Sequence, residues 1–191
     1  MATAEKQDVV GLLLDQHNQI KMLFSRVVSE PQGRQKRELF EDLVRLLAVH
    51  ESAEEEIVHP VAQRKIDSGE QVVENRRKEE DQAKRELAEL YDMGVDHPEF
   101  NTKLAKLGDA VLQHAKREET EEFRSLRQKV SQEQLIRMAV AVRAAEKMAP
   151  TRPHPHSGES APANMLTGPP MAVFDRVRDS VRDWREAQAD R

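Results

Sequence analysis

His50-Glu51-Ser52-Ala53-Glu54-Glu55 is the stretch that decides how this chain folds. It lies within the series Leu39, Leu43, Leu46, Leu47, His50, Glu54, Ile57 and Val61, whose spacing, mostly three and four, marks one face of an α-helix. His50 and Glu54 fall on that same face, one turn apart. The face is apolar, so both side chains are expected to point into a core. An ionised glutamate among Leu, Ile and Val is costly unless it neutralises or finds a partner. A histidine and a glutamate so placed can share a metal ion.

Composition narrows the options. The 191 residues suit one domain of ordinary size with an appendage. Charged residues make up 34% and aromatic residues 4%, which favours helices with wide solvated faces over sheets. There is no cysteine, so disulfides, thiolate metal sites and cysteine nucleophiles are excluded. Any transition-metal site must use nitrogen and oxygen ligands. The formal charge of −5 comes from interspersed acids and bases, so no nucleic-acid partner is expected. No apolar run approaches the ~18 residues of a membrane span. The start, Met1-Ala2-Thr3-Ala4-Glu5-Lys6, has no apolar signal core, so the chain is read as cytoplasmic.

The helices follow in order. Asp8 is the expected N-cap of a first helix reaching about Ser29, with His17 on its apolar face. Pro31 and Gly33 end it. A second runs from about Arg34 to Ile66, with a kink expected at Pro60. A third, more polar helix spans about Glu70 to Met93 and carries Glu80 on its inner face. A fourth, about Glu99 to Val130, has the face Leu104, Leu107, Val111, His114, Glu118, Glu122, Leu126. Ser131-Gln132-Glu133-Gln134 is a capping-box signal for a fifth helix to about Met148. Six of the nine prolines fall between Pro150 and Pro170, so residues 149–170 read as an extended or disordered linker. Residues 171–191 read as a short amphipathic helix with Phe174, Val177, Val181 and Trp184 on one face. The expected domain is 1–148.

His50-x-x-x-Glu54-Glu55 recurs 64 residues later as His114-x-x-x-Glu118-Glu119. With the His17 helix before and the acidic helix between, the chain is expected to be all-α, an up-down four-helix bundle with additional C-terminal helices. Histidines and carboxylates converging in such a core describe a dinuclear iron or manganese site. Two metal-free readings stay open from the residues alone. The His–Glu pairs can be internal hydrogen-bonded pairs, and the final helix can make the chain an interaction module.

These residues resemble the hemerythrin family, and more closely the hemerythrin-like HHE cation-binding domains of bacteria. Leu14-Asp15-Gln16-His17-Asn18-Gln19-Ile20 is similar to the family's first-helix motif. Glu54-Glu55-Glu56-Ile57-Val58-His59-Pro60 is similar to its Glu-Glu-x-x-x-Tyr-Pro, with His59 in place of the usual aromatic residue. The likeness covers about residues 8 to 130. Where classical hemerythrins place two histidines on the third helix, this chain has Glu80 and Lys84, with Glu79 the alternative one residue away.

The resemblance implies a non-haem di-iron centre that binds oxygen or peroxide. The metal ligands are then His17, His50, Glu54, Glu80, His114 and Glu118, with Glu54 and Glu118 as bridges. Glu51, Glu55 and Glu119 are candidates to orient a histidine. Lys84 would serve as a ligand only if deprotonated, and otherwise pairs with Glu80. His59 lies about 180° from His50 on an ideal helix, so only a kink at Pro60 would bring it to the site as an extra ligand. His97, His154 and His156 are read as ordinary polar residues. The cofactor is two iron ions, with or without an oxide bridge, ahead of manganese or zinc. An oxygen-rich ligand set favours the ferric state, which points to peroxide sensing or catalase-like breakdown rather than to oxygen carriage or iron storage without turnover. The expected assembly is a monomer or a weak homodimer through the C-terminal helix.

Overall fold

Local chemistry sets the helix boundaries. The computed structural model describes residues 7–148 and 172–179. Asp8 caps α1 (Val9–Ser29), its carboxylate accepting the Gly11 N–H at 2.8 Å. Gly33, at φ 132°, turns the chain into α2 (Arg34–Ala53) through a conformation that side-chain-bearing residues rarely adopt. α3 (His59–Lys65) continues the α2 rod, and α4 (Gly69–Met93) returns alongside it. α5 (Phe100–Arg117) and α6 (Arg124–Lys129) form the fourth rod. Ser131 Oγ then accepts the Gln134 N–H and starts α7 (Gln132–Met148).

α1 packs on α2 and α5, α3 on α4, and α4 on α5, which closes the four rods into an all-helical bundle. α7 lies along α1. Leu13, Leu43, Leu87, Leu104 and Leu107 are fully enclosed in the common core. No helix among the described residues is long and apolar enough to cross a membrane.

Two features depart from uniform helices. The second and fourth rods each contain a π segment, Glu54–Val58 and Glu118–Phe123. Each begins at the glutamate of a His-x-x-x-Glu pair. In the first, the His59 N–H reaches back five residues to the Glu54 carbonyl. That wider turn adds one residue to the helix, so everything after it is rotated by about one position. It also ends next to Pro60, which has no N–H to give to an α-helical ladder.

Lys36 is the second surprise. It is enclosed, and its ammonium donates to the Glu30 carbonyl at 3.0 Å and to Asn101 Oδ1 at 2.7 Å. It thereby ties the α1–α2 turn to the start of α5.

Residues 172–179 form a further helix, α8, whose Val173, Phe174 and Val177 are buried against the bundle core. The Lys84 ammonium sits 5.4 Å above the Phe174 ring, and Arg178 lies 3.8 Å from Glu55. The start Met1–Lys6, the expected linker 149–170 and Val181, Trp184 and the rest of the last segment lie outside the described residues.

Gly69 packs directly against α3. A Cβ there would meet the backbone carbonyls of Ala62 and Gln63, the latter at 2.7 Å. Backbone cannot swing aside, so Gly69→Ala is expected to cost about 1–3 kcal/mol. Urea unfolding should show a lower midpoint at unchanged slope.

Candidate metal centre

The six expected ligands meet in the middle of the bundle. His17, His50, Glu54 and Glu118 each offer an atom within 4.8 Å of the others, and so do Glu54, Glu80, His114 and Glu118. Glu54 and Glu118 belong to both groups, which is the arrangement two cations sharing two carboxylates would need.

Each histidine is held from behind. His17 Nδ1 lies 3.0 Å from Glu119 Oε1, His50 Nδ1 2.8 Å from Gln16 Oε1, and His114 Nδ1 2.8 Å from Glu79 Oε2. A carboxylate or amide oxygen at Nδ1 fixes the proton there and leaves Nε2 as the lone-pair donor. The three Nε2 atoms face inward. Those of His17 and His50 are 3.1 Å apart, and Glu118 lies 3.3 Å from His17 Nε2 and 3.0 Å from His114 Nε2. His50 Nε2 is 3.4 Å from Glu54.

The carboxylates lack what the histidines have. Both oxygens of Glu54 and both of Glu118 are buried without a hydrogen-bond partner, as is one oxygen of Glu122. Burial pushes the Glu54 carboxyl well above its ordinary range, and Glu118, Glu80 and Glu122 push it further. Burial alone would raise Glu118 as well, but His114, His17 and His50 hold it well below the usual range. Burial and His17 keep His50 neutral, whereas Glu118 and Glu79 overcome burial and hold a proton on His114. Orphaned buried oxygens beside inward Nε2 atoms fit divalent or trivalent cations, which would satisfy them together and displace the His114 proton.

The neighbouring residues sort themselves by contact. Glu119 and Glu79 orient histidines. Burial works against charge on Glu79, but His114 and Arg76 hold its pKa at about 2. Glu51 and Lys84 form a buried pair at 3.4 Å, so Lys84 turns to Glu51 rather than to Glu80. Burial would lower Lys84, yet Glu51 and Glu80 raise it, and it remains an ammonium with no lone pair to give. Glu55 pairs with Arg178 and orients no histidine among the described residues. His97 is exposed, and its Nδ1 accepts the Glu99 N–H. His154 and His156 lie outside the described residues.

His59 reaches the core, and the cause is the π segment rather than a kink at Pro60. The extra residue turns the imidazole inward, where Nε2 lies 2.9 Å from Glu80 and Nδ1 3.1 Å from Glu122. Burial would lower its pKa, but those two carboxylates raise it to about 10. His59 is therefore a doubly hydrogen-bonded cation that steers Glu80. Glu122 and Gln16 went unsingled in the sequence. The available signals were the place of Glu122 on the inner face of the fourth helix and the position of Gln16 beside His17.

A cavity of about 290 Å³ opens between α1, α2, α4 and α5, with His17, His50, Glu80 and His114 at its inner end.

Comparison with known proteins gives three matches. The family described as Hemerythrin HHE cation binding domain matches residues 8–126. A protein named DNA nickase from Nostoc sp. is 27% identical over 140 residues, covering 73% of this chain. The chain spans only 38% of that protein's length, so its printed activity belongs to a much longer protein. A solved hemerythrin HHE cation binding domain-containing protein from Mycobacterium kansasii superposes with a TM-score of 0.67 at 17% identity, over 75% of this chain and 87% of the other. At that identity the likeness concerns the fold.

The buried groups give metal binding a definite pH dependence. In the metal-free protein, burial, opposed by Lys84, raises Glu51 from 4.5 to about 8, and His59 is raised from 6.5 to about 10. Both folded-state values exceed the unfolded ones, so the stability they give is lost as pH rises between 6.5 and 8. The loss is of order 1 kcal/mol per pH unit for each proton. Glu54 and His114, both raised, hold protons that a cation has to displace, so binding also strengthens as pH rises. The gap in melting temperature between ferrous-loaded and metal-free protein, held anaerobically, is expected to widen from pH 6.5 to 8. A constant or narrowing gap would count against the cluster.

Proposed function

Because the chain belongs to the hemerythrin HHE cation-binding family, and so is a metal-binding helical protein, we propose that it holds two iron ions and acts on hydrogen peroxide, by sensing it or by catalase-like breakdown. The observation that carries this reading is the pair of overlapping ligand groups sharing Glu54 and Glu118. His17 and His50 would serve one ion, Glu80 and His114 the other, with the two shared glutamates bridging. When bound, the two irons would supply paired one-electron changes, which match the two-electron chemistry of peroxide.

The chain's own residues do the rest. Gln16, Glu79 and Glu119 hold the imidazoles in the tautomer that presents Nε2. Glu80 adds an oxygen donor where a classical hemerythrin has nitrogen, which favours the ferric state and lowers the case for reversible oxygen carriage. His59 holds a proton on Nε2 against Glu80 and keeps that carboxylate oriented. Phe123, stacked on His17 at 5.6 Å between ring centroids, covers one face of that imidazole.

The experiment is anaerobic loading of the full chain with ferrous iron, followed by hydrogen peroxide. Oxygen evolution, or a stoichiometric change in the iron absorption spectrum, is expected. Two bound irons with neither response would refute the peroxide reading. Reversible bleaching on removal of oxygen would favour carriage instead.

A further inference from the structure

We infer that the cavity beside the metal ligands binds the apolar body of an organic hydroperoxide, so that the preferred peroxide is ROOH with an alkyl or aryl R. This deepens the peroxide reading above and rests on it. The cavity volume is about 290 Å³. A water molecule claims about 30 Å³ of liquid, so hydrogen peroxide would leave most of the space unused. Ile20, Leu47, Ala83, Val111 and Ala115 form the walls. Such walls offer water no hydrogen bonds and favour its replacement by apolar surface. Lys78, Gln82, Gln113 and Arg117 ring the mouth, and all four are exposed.

The lining surface is mostly apolar, although Glu51, Glu79 and Glu86 contribute to it beside the metal ligands. A molecule seated here meets Glu80 and His114 with its inner end and the apolar walls with its body. A hydroperoxide has that shape: one polar O–O–H terminus on a hydrocarbon. Its reduction breaks the O–O bond, takes up two protons and two electrons, and gives ROH and water. Two bound ferrous ions would supply the two electrons, and water the two protons. The alcohol keeps the same body and leaves by the same mouth.

The test uses the full chain loaded anaerobically with ferrous iron, with hydrogen peroxide and cumene hydroperoxide compared as oxidants. Iron oxidation is followed by absorbance and cumyl alcohol is quantified. Cumene hydroperoxide is expected to half-saturate at a concentration at least tenfold below that of hydrogen peroxide, giving one alcohol per two irons oxidised. Cumyl alcohol alone should raise the melting temperature of the loaded protein. Ala83→Phe, which fills a wall, should abolish that rise and lower the ratio of cumene hydroperoxide to hydrogen peroxide rates at least fivefold. Ala110→Phe, at an exposed lining position, gives the same readout if the first variant fails to fold. Oxidation by hydrogen peroxide but not by cumene hydroperoxide overturns this inference alone. An equal loss of both rates in the filled variants also overturns it. Failure of both oxidants with two irons bound removes the peroxide reading as well.

Discussion

Glu54 and Glu118 are completely enclosed at the centre of the bundle, and none of their four oxygens has a hydrogen-bond partner. Desolvation opposes charge on both; repulsion from Glu118, Glu80 and Glu122 adds to it at Glu54, whereas His114, His17 and His50 favour charge on Glu118. The protein answers in part with protons, keeping Glu54 neutral and His114 and His59 charged. The remaining imbalance is what cations would remove. The histidine tethers, the inward Nε2 atoms and the π segments all serve the placement of these two side chains. The bundle surrounds a polar centre that its apolar core alone does not explain.

The cluster is lopsided. One ligand group has two imidazoles and two carboxylates, and the other has one imidazole and three carboxylates. The poorer nitrogen supply lies on the α4 side, where Glu80 is backed by His59 and Glu122 and where the Glu51–Lys84 pair is buried close by. α8 sits over Lys84 through Phe174, so the C-terminal part of the chain packs beside this same side of the centre. Its apolar face is used within the chain over the described residues, which weakens the reading of that segment as a free docking helix.

What was legible in the sequence follows from how local each feature is. The bundle could be read because Leu39, Leu43, Leu47 and their counterparts obey the 3.6-residue period, and His50, Glu54, His114 and Glu118 obey it with them. Asp8 and Ser131 could be read as caps because capping depends on residues two or three apart. The inward direction of His59 is not legible because it depends on one extra residue in the preceding turn. A period of 3.6 carries no sign of a π segment. Lys36 looks like a surface lysine until the α5 start is brought against it. Glu122 and Gln16 have partners more than 30 residues away, so only tertiary structure pairs them. Lys84 was placed with Glu80 by its i+4 spacing, yet a neighbouring rod supplied a nearer carboxylate in Glu51.

The most direct test of a dinuclear centre is the metal content of the full chain, purified and loaded anaerobically with ferrous iron. His50→Ala with His114→Ala in one chain is the control. Two irons per chain in the parent and their loss in the double variant are the expected result. Well under one metal per chain in the parent, with a melting temperature indifferent to chelators, would contradict the account.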